Sequence, residues 1–359
     1  MAYVSFYSMP KVTDKSFKIE RFAFAFDFLF LLEKTFDITV FDFIGVNATF
    51  RKKGVVFTYL KRKHNNPFVF PLRLFFKLKK LNPDVVYVQG LSYPHFIIVM
   101  RYFLKPTCKI TVHDHANKLP KGFIKRIVFK KADKHVNTYF FTSKSHANRY
   151  VAAGLIASEK KIVSCVEGST NFNYNPSVKK DKNRFLWVGR LDKNKDPITV
   201  LKGFALFAKI NSKAILIMFF ENKELLPEVR ECIKANGLNN QVRLKAKSPH
   251  KELEKWYQKS GFFLLGSHKE GGPIALIEAM ACGCIPIVTS IPVFKTMTDE
   301  GKCGFLFNPG DHLELFRIFT ALNSIDFENY QKNVVHFFNT NLSHQAIANT
   351  LKNTFLKND

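Results

Sequence analysis

The sequence predicts an α/β protein built from two doubly wound, Rossmann-like domains. Apolar segments of strand length alternate with helical segments along both halves of the 359-residue chain. A polar stretch over residues 171–183, which contains Pro176, interrupts the alternation and is the predicted linker. The alternation then starts again, which indicates two domains that face each other across a ligand cleft. The predicted domains are 1–175 and 180–340, with a C-terminal helix over 341–359 that packs back on the first domain.

The first domain contains five predicted strands and three predicted helices. Residues 84–88 are nearly all apolar, as is typical of a parallel strand that is buried on both faces. Asn82 and Pro83 end the helix that precedes this strand. The strands are predicted over 3–7, 37–44, 84–88, 109–113 and 139–142, and the helices over 22–34, 71–80 and 121–132.

The second domain continues in the same pattern. The predicted strands are 184–188, 214–219, 242–244, 262–265 and 285–288, and the helices are 198–209, 225–236, 250–260 and 275–282. In open α/β sheets, ligands bind beyond the carboxyl ends of the strands. Residues that follow these strands are therefore the first candidates for a binding site.

Cysteine usage and hydropathy favour a cytoplasmic protein. The six cysteines are scattered and include no CxxC pair, which predicts neither a zinc site nor a disulfide framework. The N-terminus shows no secretory signal pattern. The most apolar early run, residues 22–32, contains Asp27 and is shorter than the roughly 20 residues that a membrane span needs.

The charge of the chain is strongly uneven. The net charge is +26, and residues 51–150 hold 22 Lys and Arg against 3 Asp and Glu, a net of +19. Such a basic region attracts polyanions, which include anionic lipid, nucleic acid and phosphate-bearing substrates. An AT-rich genome that inflates the lysine content is the alternative explanation.

The segment 266–273 joins an apolar strand to a helix and reads Gly-Ser-His-Lys-Glu-Gly-Gly-Pro. Gly271 and Gly272 allow a ligand to approach the backbone closely. The helix that starts behind Pro273 and Ile274 offers free N–H groups and the positive end of its dipole to an anion. The carboxylates of Glu270 and Glu278 can accept hydrogen bonds from sugar hydroxyls. A tight strand-to-helix turn without function is the alternative interpretation.

A second strand-to-helix junction, residues 187–197, carries two candidate cationic ligands. Arg190 and Lys195 combine a guanidinium fork with an ammonium point charge, which suits a diphosphate. The alternative is that Arg190 only pairs with a neighbouring acid such as Asp192.

Together these segments resemble glycosyltransferase family four of the GT-B superfamily. The resemblance rests on residues 185–205, 267–289 and 301–311, and Glu270 and Glu278 match the E-x7-E signature of its retaining members. It implies a GT-B fold in which the domain 1–175 binds the acceptor and the domain 180–340 binds the nucleotide-sugar donor. The resemblance further implies transfer of a sugar from a nucleoside diphosphate sugar to an acceptor hydroxyl with retention. It also implies that Arg190 and Lys195 hold the diphosphate, that Glu278 binds the ribose and that Glu270 contacts the transferred sugar.

The first domain resembles the family more loosely. Residues 82–91 and 111–115 match its strand-end pattern, and the family places a histidine there that faces the donor sugar across the cleft. His113 is the best match and His115 the second choice, so Glu270 and His113 are the predicted catalytic residues. A structural histidine is the alternative. The chain departs from the family after its first strand, because residues 6–10 contain no glycine.

Two basic segments of the first domain favour contact with a membrane surface. Over residues 71–81, Arg73, Lys77 and Lys80 share one side of the predicted helix, and six apolar residues form a broad face. A basic amphipathic helix can lie on anionic lipid, although it can also simply cover the sheet. The basic segments contain no zinc-finger or RNA-binding motif, so no nucleic acid partner is predicted.

The sequence therefore predicts a cytoplasmic enzyme, peripheral on the inner face of the membrane, that acts in polysaccharide or glycolipid synthesis. Its predicted partners are a nucleotide-sugar donor and an acceptor that is lipid-linked. No metal and no cofactor are expected, because the chain has no Asp-x-Asp motif and two cations can neutralise the leaving diphosphate. The alternatives are a catalytically silent scaffold with the same fold and a basic protein that binds nucleic acid.

Overall fold

The computed structural model describes residues 1–62, 66, 68–115 and 118–357. These residues form two compact units, one of Met1–Gly168 together with the chain from His344 onward, and one of Ser169–Ser343. The polar stretch 171–183 lies inside the second unit, where Phe172 is buried and the first strand of that unit already begins at Asp181. The division between the units therefore comes earlier in the chain than the polar composition suggests.

The first unit is built on an eight-stranded sheet in the order β3-β4-β2-β1-β5-β6-β7-β8. Neighbouring strands are parallel except β3 and β4, which form an antiparallel pair at one edge that the sequence pattern did not predict. The strands are β1 Ala2–Met9, β2 Thr39–Ile44, β3 Ala48–Lys52, β4 Val55–Lys61, β5 Val85–Gln89, β6 Lys109–His113, β7 Thr138–Phe141 and β8 Ile162–Ser164.

Helices cover both faces of this sheet. They are α1 Phe17–Arg21, α2 Ala23–Phe26, α3 Leu29–Leu32, α4 Leu72–Leu81, α5 Pro94–Arg101, α6 Phe123–Asp133 and α7 Lys144–Ala152. The connections from β4 to β5, β5 to β6 and β6 to β7 all advance in one direction across the sheet, and parallel crossovers are right-handed. Helices α4, α5 and α6 therefore lie on the same face.

The single helix predicted over residues 22–34 is wrong, because the chain forms the short segments α2 and α3 there. Phenylalanine occurs at every second position from Phe22 to Phe30, a period that does not match the 3.6 residues of a helical turn. A straight helix would place Phe26 and Phe28 on opposite sides, but both are buried. The bends after α2 bring both rings into the core.

The second unit contains a six-stranded parallel sheet in the order β11-β10-β9-β12-β13-β14. Its strands are β9 Asp181–Gly189, β10 Ile215–Phe220, β11 Val242–Ala246, β12 Ser260–Leu265, β13 Ile285–Thr289 and β14 Phe305–Phe307. Its helices are α8 Pro197–Ile210, α9 Leu226–Ala235, α10 His250–Lys259, α11 Ile274–Ala281, α12 Pro292–Met297, α13 His312–Ala321 and α14 Phe327–Phe337. Every residue of β12 and β13 is buried, which accounts for their unbroken apolar sequences.

The last helix, α15 (His344–Leu356), belongs to the first unit and packs on α3. Its Phe355 ring contacts Phe36, Tyr87 and Phe140. All six cysteines are free thiols. Over the described ranges, no helix has the length and apolarity needed to cross a membrane.

Candidate functional site

The two motifs of the second unit follow adjacent strands at the point where the strand order reverses. From β9 the chain runs outward through β10 and β11, whereas from β12 it runs the other way through β13 and β14. Connections that diverge in this way leave a crevice outside the carboxyl ends of the two central strands, and ligands of open α/β sheets bind there. The loop 190–196 follows β9 and the loop 266–273 follows β12.

Backbone contacts hold these two loops together. The N–H of His268 donates to the carbonyl of Asn194 at 2.8 Å, and the Asn194 side-chain amide donates to the carbonyl of Lys269 at 2.9 Å. Gly266 is required at the junction, because a Cβ atom there would lie 2.8 Å from the carbonyl oxygen of Asp196. The two loops therefore form one continuous surface, although 69 residues lie between them in the chain.

Lys195 and Glu270 meet in this surface. The Lys195 ammonium lies 2.5 Å from a carboxylate oxygen of Glu270, and the two side chains are only 13% and 11% exposed. The Lys195 backbone N–H donates to Asp192 at 2.9 Å, which fixes the loop. The structure thus joins one predicted residue from each motif in a largely enclosed ion pair, a contact that the sequence did not predict.

Arg190 adopts the alternative that the sequence left open. Its Nε atom lies 3.1 Å from a carboxylate oxygen of Asp192, while 56% of the arginine side chain stays exposed. An exposed ion pair contributes about 0–1 kcal/mol. The guanidinium can therefore exchange Asp192 for a bound phosphate at small cost.

The loop after β12 leads directly into α11. Ile274 is the first residue of the helix, Pro273 precedes it, and the Ile274 N–H donates to the carbonyl of Gly272 at 2.9 Å. Gly271 and Gly272 are partly exposed at this helix N-terminus. The arrangement presents backbone N–H groups and the positive dipole end beside Glu270.

Glu278 lies one turn inside α11 and is buried, with both carboxylate oxygens already hydrogen-bonded. Nε2 of His250 lies 2.5 Å from one oxygen, and the Tyr257 hydroxyl donates to the other at 3.1 Å. The hydrogen bond to Glu278 raises the pKa of His250. The His250 ring also packs against Phe172 at 4.5 Å between centroids. Sequence reasoning missed His250, although its place at the start of a helix that follows a strand was a usable signal.

His113 lies at the end of β6 and is fully buried. Its Nδ1 atom is hydrogen-bonded to the Tyr87 hydroxyl, and its Nε2 atom lies 3.1 Å from the carbonyl of Cys165. Burial, with a further contribution from the nearby His115, lowers the pKa of His113 to about 4. A neutral imidazole with both nitrogens engaged matches the structural histidine that the sequence analysis gave as the alternative.

His115 occupies a more open position. It pairs with Glu167 through Nδ1, and its Nε2 atom lies 2.8 Å from the side-chain oxygen of Gln89. Burial alone would lower the pKa of His115, but the hydrogen bond and the charge of Glu167 raise it overall. The pairing of Glu167 with His115 comes from the tertiary structure, and the sequence analysis did not single out Glu167.

No cluster of three or more His, Cys, Asp or Glu side chains that could hold a metal ion occurs in the part of the chain that the structure describes. The acidic residues of the second-unit site instead lie beside cations. Lys195 pairs with Glu270, Arg190 with Asp192, and His250 with Glu278.

Comparison with known proteins finds similarity to glycosyltransferases. Residues 170–333 match the family described as glycosyl transferases group 1. The chain is 28% identical over 251 residues to the capsular polysaccharide biosynthesis glycosyltransferase CapH of Staphylococcus aureus. This match covers 66% of this chain and 67% of that protein. It is 32% identical over 124 residues to a GDP-mannose:cellobiosyl-diphosphopolyprenol alpha-mannosyltransferase of Xanthomonas oryzae pv. oryzae. That second match covers only 34% of this chain and 33% of the relative.

The fold of this chain is similar to that of a solved structure with low sequence identity. A glycosyltransferase structure from Rickettsia africae superposes with a TM-score of 0.75 over 100% of this chain and 99% of its own, at 16% identity. The predicted fold class is thereby confirmed, since both units and their order along the chain correspond to those of a GT-B protein.

Proposed function

We propose that this protein is a retaining glycosyltransferase of family four, which transfers a sugar from a nucleoside diphosphate sugar to an acceptor hydroxyl. The observation that carries the proposal is the Lys195–Glu270 pair at the reversal point of the second sheet. It puts a cation for the diphosphate and a carboxylate for the sugar side by side, where a ligand of this fold binds. The match of residues 170–333 to group 1 glycosyl transferases supports the same function.

In the proposed donor complex, phosphate oxygens become partners of both cations. Arg190 exchanges Asp192 for the diphosphate, and Lys195 shares its protons between Glu270 and a phosphate oxygen. Gly271, Gly272, Pro273 and Ile274 supply the helix N-terminus against which the phosphates and the sugar lie. Glu278 binds the ribose, because a carboxylate offers about four acceptor positions and only two are used by His250 and Tyr257.

Catalysis then depends on charge stabilisation at the departing diphosphate. Negative charge grows on the leaving group while Arg190 and Lys195 stay in place, so both bind the transition state better than the ground state. Glu270 and Glu278 already have fixed partners and are not free nucleophiles. We therefore favour a front-face reaction, in which the leaving phosphate accepts the proton of the attacking hydroxyl.

The sequence analysis gave a catalytic role beside the donor sugar to His113, with His115 as the second choice. His115 suits this role better than His113 does. A catalytic group must reach the substrate within hydrogen-bond distance. His113 has no exposed surface, so a substrate cannot reach its ring. His115 has a partly exposed side chain and a carboxylate partner that orients it.

Turnover of a nucleotide sugar tests the proposed function directly. The intact protein is incubated with UDP- and GDP-sugars, and released nucleoside diphosphate is measured with and without acceptor glycosides. A nucleoside diphosphate at 100 times its dissociation constant should also stabilise the protein by about 2.7 kcal/mol in thermal unfolding. Binding without any release or transfer would instead favour the catalytically silent scaffold, and absence of both would contradict the proposal.

The reaction is expected to proceed without a divalent metal. Two cationic side chains and a helix N-terminus face the leaving diphosphate in the proposed complex, and they stabilise its charge in the way that a metal ion does in other enzymes. Activity should therefore be unchanged in EDTA. Loss of activity in EDTA that magnesium or manganese restores would show that the charge of Arg190 and Lys195 does not suffice.

The two glutamates should affect different steps. Glu278→Gln is expected mainly to weaken binding of the free nucleoside diphosphate, because its buried carboxylate binds the ribose in the proposed complex. Glu270→Gln is expected mainly to lower turnover, because its loop position places it at the transferred sugar. Binding isotherms and kcat values separate the two effects, and equal losses of nucleotide affinity in both variants would refute this division of roles.

The exposed surface of the first unit supports attachment to an anionic membrane. The predicted apolar face of α4 is split, because Leu74, Phe75 and Leu78 pack into the core while Leu72, Phe76 and Leu81 are exposed beside the basic side chains. At the start of α6, Phe123 is 78% exposed. We call this basic and apolar surface of α4 and α6 the basic face.

The composition of the basic face fits lipid better than it fits nucleic acid. Phosphate backbones require cations, but they gain little from exposed leucine and phenylalanine side chains. An anionic bilayer interacts favourably with both the cationic and the apolar side chains, since it attracts the charges and accepts the apolar groups at its surface. The Xanthomonas relative is named a GDP-mannose:cellobiosyl-diphosphopolyprenol alpha-mannosyltransferase, and this name supports a lipid-linked acceptor for this chain. A role in surface polysaccharide or glycolipid synthesis on the cytoplasmic face of the membrane follows.

A further inference from the structure

Two side chains of α10 hold the buried carboxylate of Glu278. His250 is the first residue of this helix, and Tyr257 follows about two turns later on the same side. Nε2 of His250 lies 2.5 Å from one carboxylate oxygen, and the Tyr257 hydroxyl donates to the other oxygen at 3.1 Å. The orientation of the carboxylate is therefore fixed at both of its oxygens.

The two donors differ in their exposure to solvent. Tyr257 is fully buried. The side chain of His250 is 64% exposed, although its partner Glu278 is only 6% exposed. His250 therefore contacts the buried carboxylate at its solvent side, which is the side from which a ligand approaches.

Local structure fixes the His250 ring as a donor. Pro249 restricts the backbone just before the helix, and the ring of Phe172 packs against the His250 ring at 4.5 Å between centroids. The hydrogen bond to Glu278 raises the pKa of His250, and the charge of Glu254 on the same helix adds to this increase. Nε2 donates in the imidazolium and also in the neutral tautomer that carries its proton there. The donor is thus in place before any ligand binds.

The hydrogen-bonding capacity that remains at Glu278 matches one kind of sugar. A carboxylate has about four acceptor positions, of which His250 and Tyr257 occupy two. The 2′- and 3′-hydroxyls of a ribose are two neighbouring donors, so they fill the other two positions. A deoxyribose displaces water from such a position without replacing its hydrogen bond, and this weakens binding.

We propose that His250 is a positioning residue for the donor nucleotide, because it holds Glu278 in the orientation in which the carboxylate accepts both ribose hydroxyls. This inference rests on the proposed function and narrows its donors to ribonucleoside diphosphate sugars, in preference to deoxyribonucleoside diphosphate sugars. His250 acts through Glu278 and not on the reacting atoms. Its loss should therefore weaken only those ligands that carry the hydroxyls.

Binding isotherms of the full-length chain test this role. The probes are UDP, GDP and ADP, each compared with its 2′,3′-dideoxy form. We expect the wild type to bind at least one ribonucleotide about tenfold or more tightly than its dideoxy form. His250→Ala should weaken that ribonucleotide about three- to tenfold and leave the dideoxy form within about twofold of its wild-type affinity. Equal wild-type affinities for the two forms, or an equal loss for both in His250→Ala, would overturn the inference.

Further variants separate positioning from a purely structural role. His250→Gln keeps an N–H donor of similar reach and should retain most of the ribonucleotide affinity. Glu278→Met removes the carboxylate at similar volume, so adding His250→Ala to it should weaken binding no further. His336→Ala changes an exposed histidine of the same unit and should have no effect. Far-ultraviolet circular dichroism establishes that each variant is folded, and full additivity of the His250 and Glu278 changes would overturn the inference.

The same measurements distinguish failure of this inference from failure of the proposed function. If nucleoside diphosphates bind and sugar transfer occurs, but the ribose preference does not depend on His250, only the inference is wrong. If the ribose preference depends on His250 but no sugar is transferred, only the proposed function is wrong. If no nucleoside diphosphate binds, the proposed function is wrong and the inference that rests on it is wrong as well.

Discussion

Replacing Lys195 by methionine is expected to lower kcat by about 10²–10³-fold, the loss typical of removing one preorganised group from a developing negative charge. Lys195 is largely enclosed, so solvent cannot substitute for its ammonium at the departing diphosphate. Donor affinity should fall as well, by roughly 1.5–3 kcal/mol for one charge-assisted hydrogen bond. Steady-state kinetics with saturating nucleotide sugar, together with isotherms for the nucleoside diphosphate, measure both effects.

The controls for Lys195 separate charge at the donor from damage to the fold. Lys195→Met leaves Glu270 without its partner, so the Lys195→Met/Glu270→Gln double variant is compared with Glu270→Gln alone. These two variants differ only in the cation, and neither has a stranded carboxylate. Lys247→Met removes a lysine that pairs with Glu221 at 2.6 Å on the open surface of the same unit, and it should leave kcat unchanged.

Arg190→Ala should cost a similar 1.5–3 kcal/mol of donor affinity. If donor affinity stays within about twofold of the wild type in both Arg190→Ala and Lys195→Met, the diphosphate clamp is wrongly assigned.

Reversing five lysines of the basic face should abolish binding to anionic vesicles. Each Lys or Arg near an anionic bilayer contributes about 1 kcal/mol, so the loss of Lys77, Lys79, Lys80, Lys130 and Lys131 removes about 5 kcal/mol, or more than a thousandfold in affinity. Sedimentation with phosphatidylcholine vesicles that do or do not contain phosphatidylserine measures the effect. Binding of the wild type should weaken as salt is raised, because exposed charges are screened beyond about 8 Å at physiological ionic strength.

A matched variant tests whether location matters more than total charge. Reversal of five exposed lysines of the second unit, Lys202, Lys209, Lys213, Lys234 and Lys259, changes the net charge by the same amount. It should retain most of the vesicle binding, and both variants should keep their nucleotide affinity. If the wild-type protein stays in the supernatant at low salt, or if both variants lose vesicle binding equally, the proposal that the basic face binds the membrane is wrong.

The sequence predicted most of the second unit because the signals there are local. Strands such as β12 and β13 are buried on both faces and therefore read as unbroken apolar runs. The first unit was harder to predict from the sequence. Its β3–β4 pair is a short edge hairpin, and the segment 22–34 takes its shape from the packing of Phe26 and Phe28. In these places tertiary contacts outweigh local propensity.

The sequence by itself determined which residue types follow the strands of the second sheet, because Arg190, Lys195, Glu270 and Glu278 lie in short motifs that are read within one turn or loop. Only the tertiary structure decided which of them meet. Strand order brings Lys195 to Glu270 across 75 residues and His250 to Glu278 across 28, and it buries His113 while His115 stays partly exposed. The physical reason is that ion pairs and desolvation depend on distances through space, and local sequence patterns do not contain those distances.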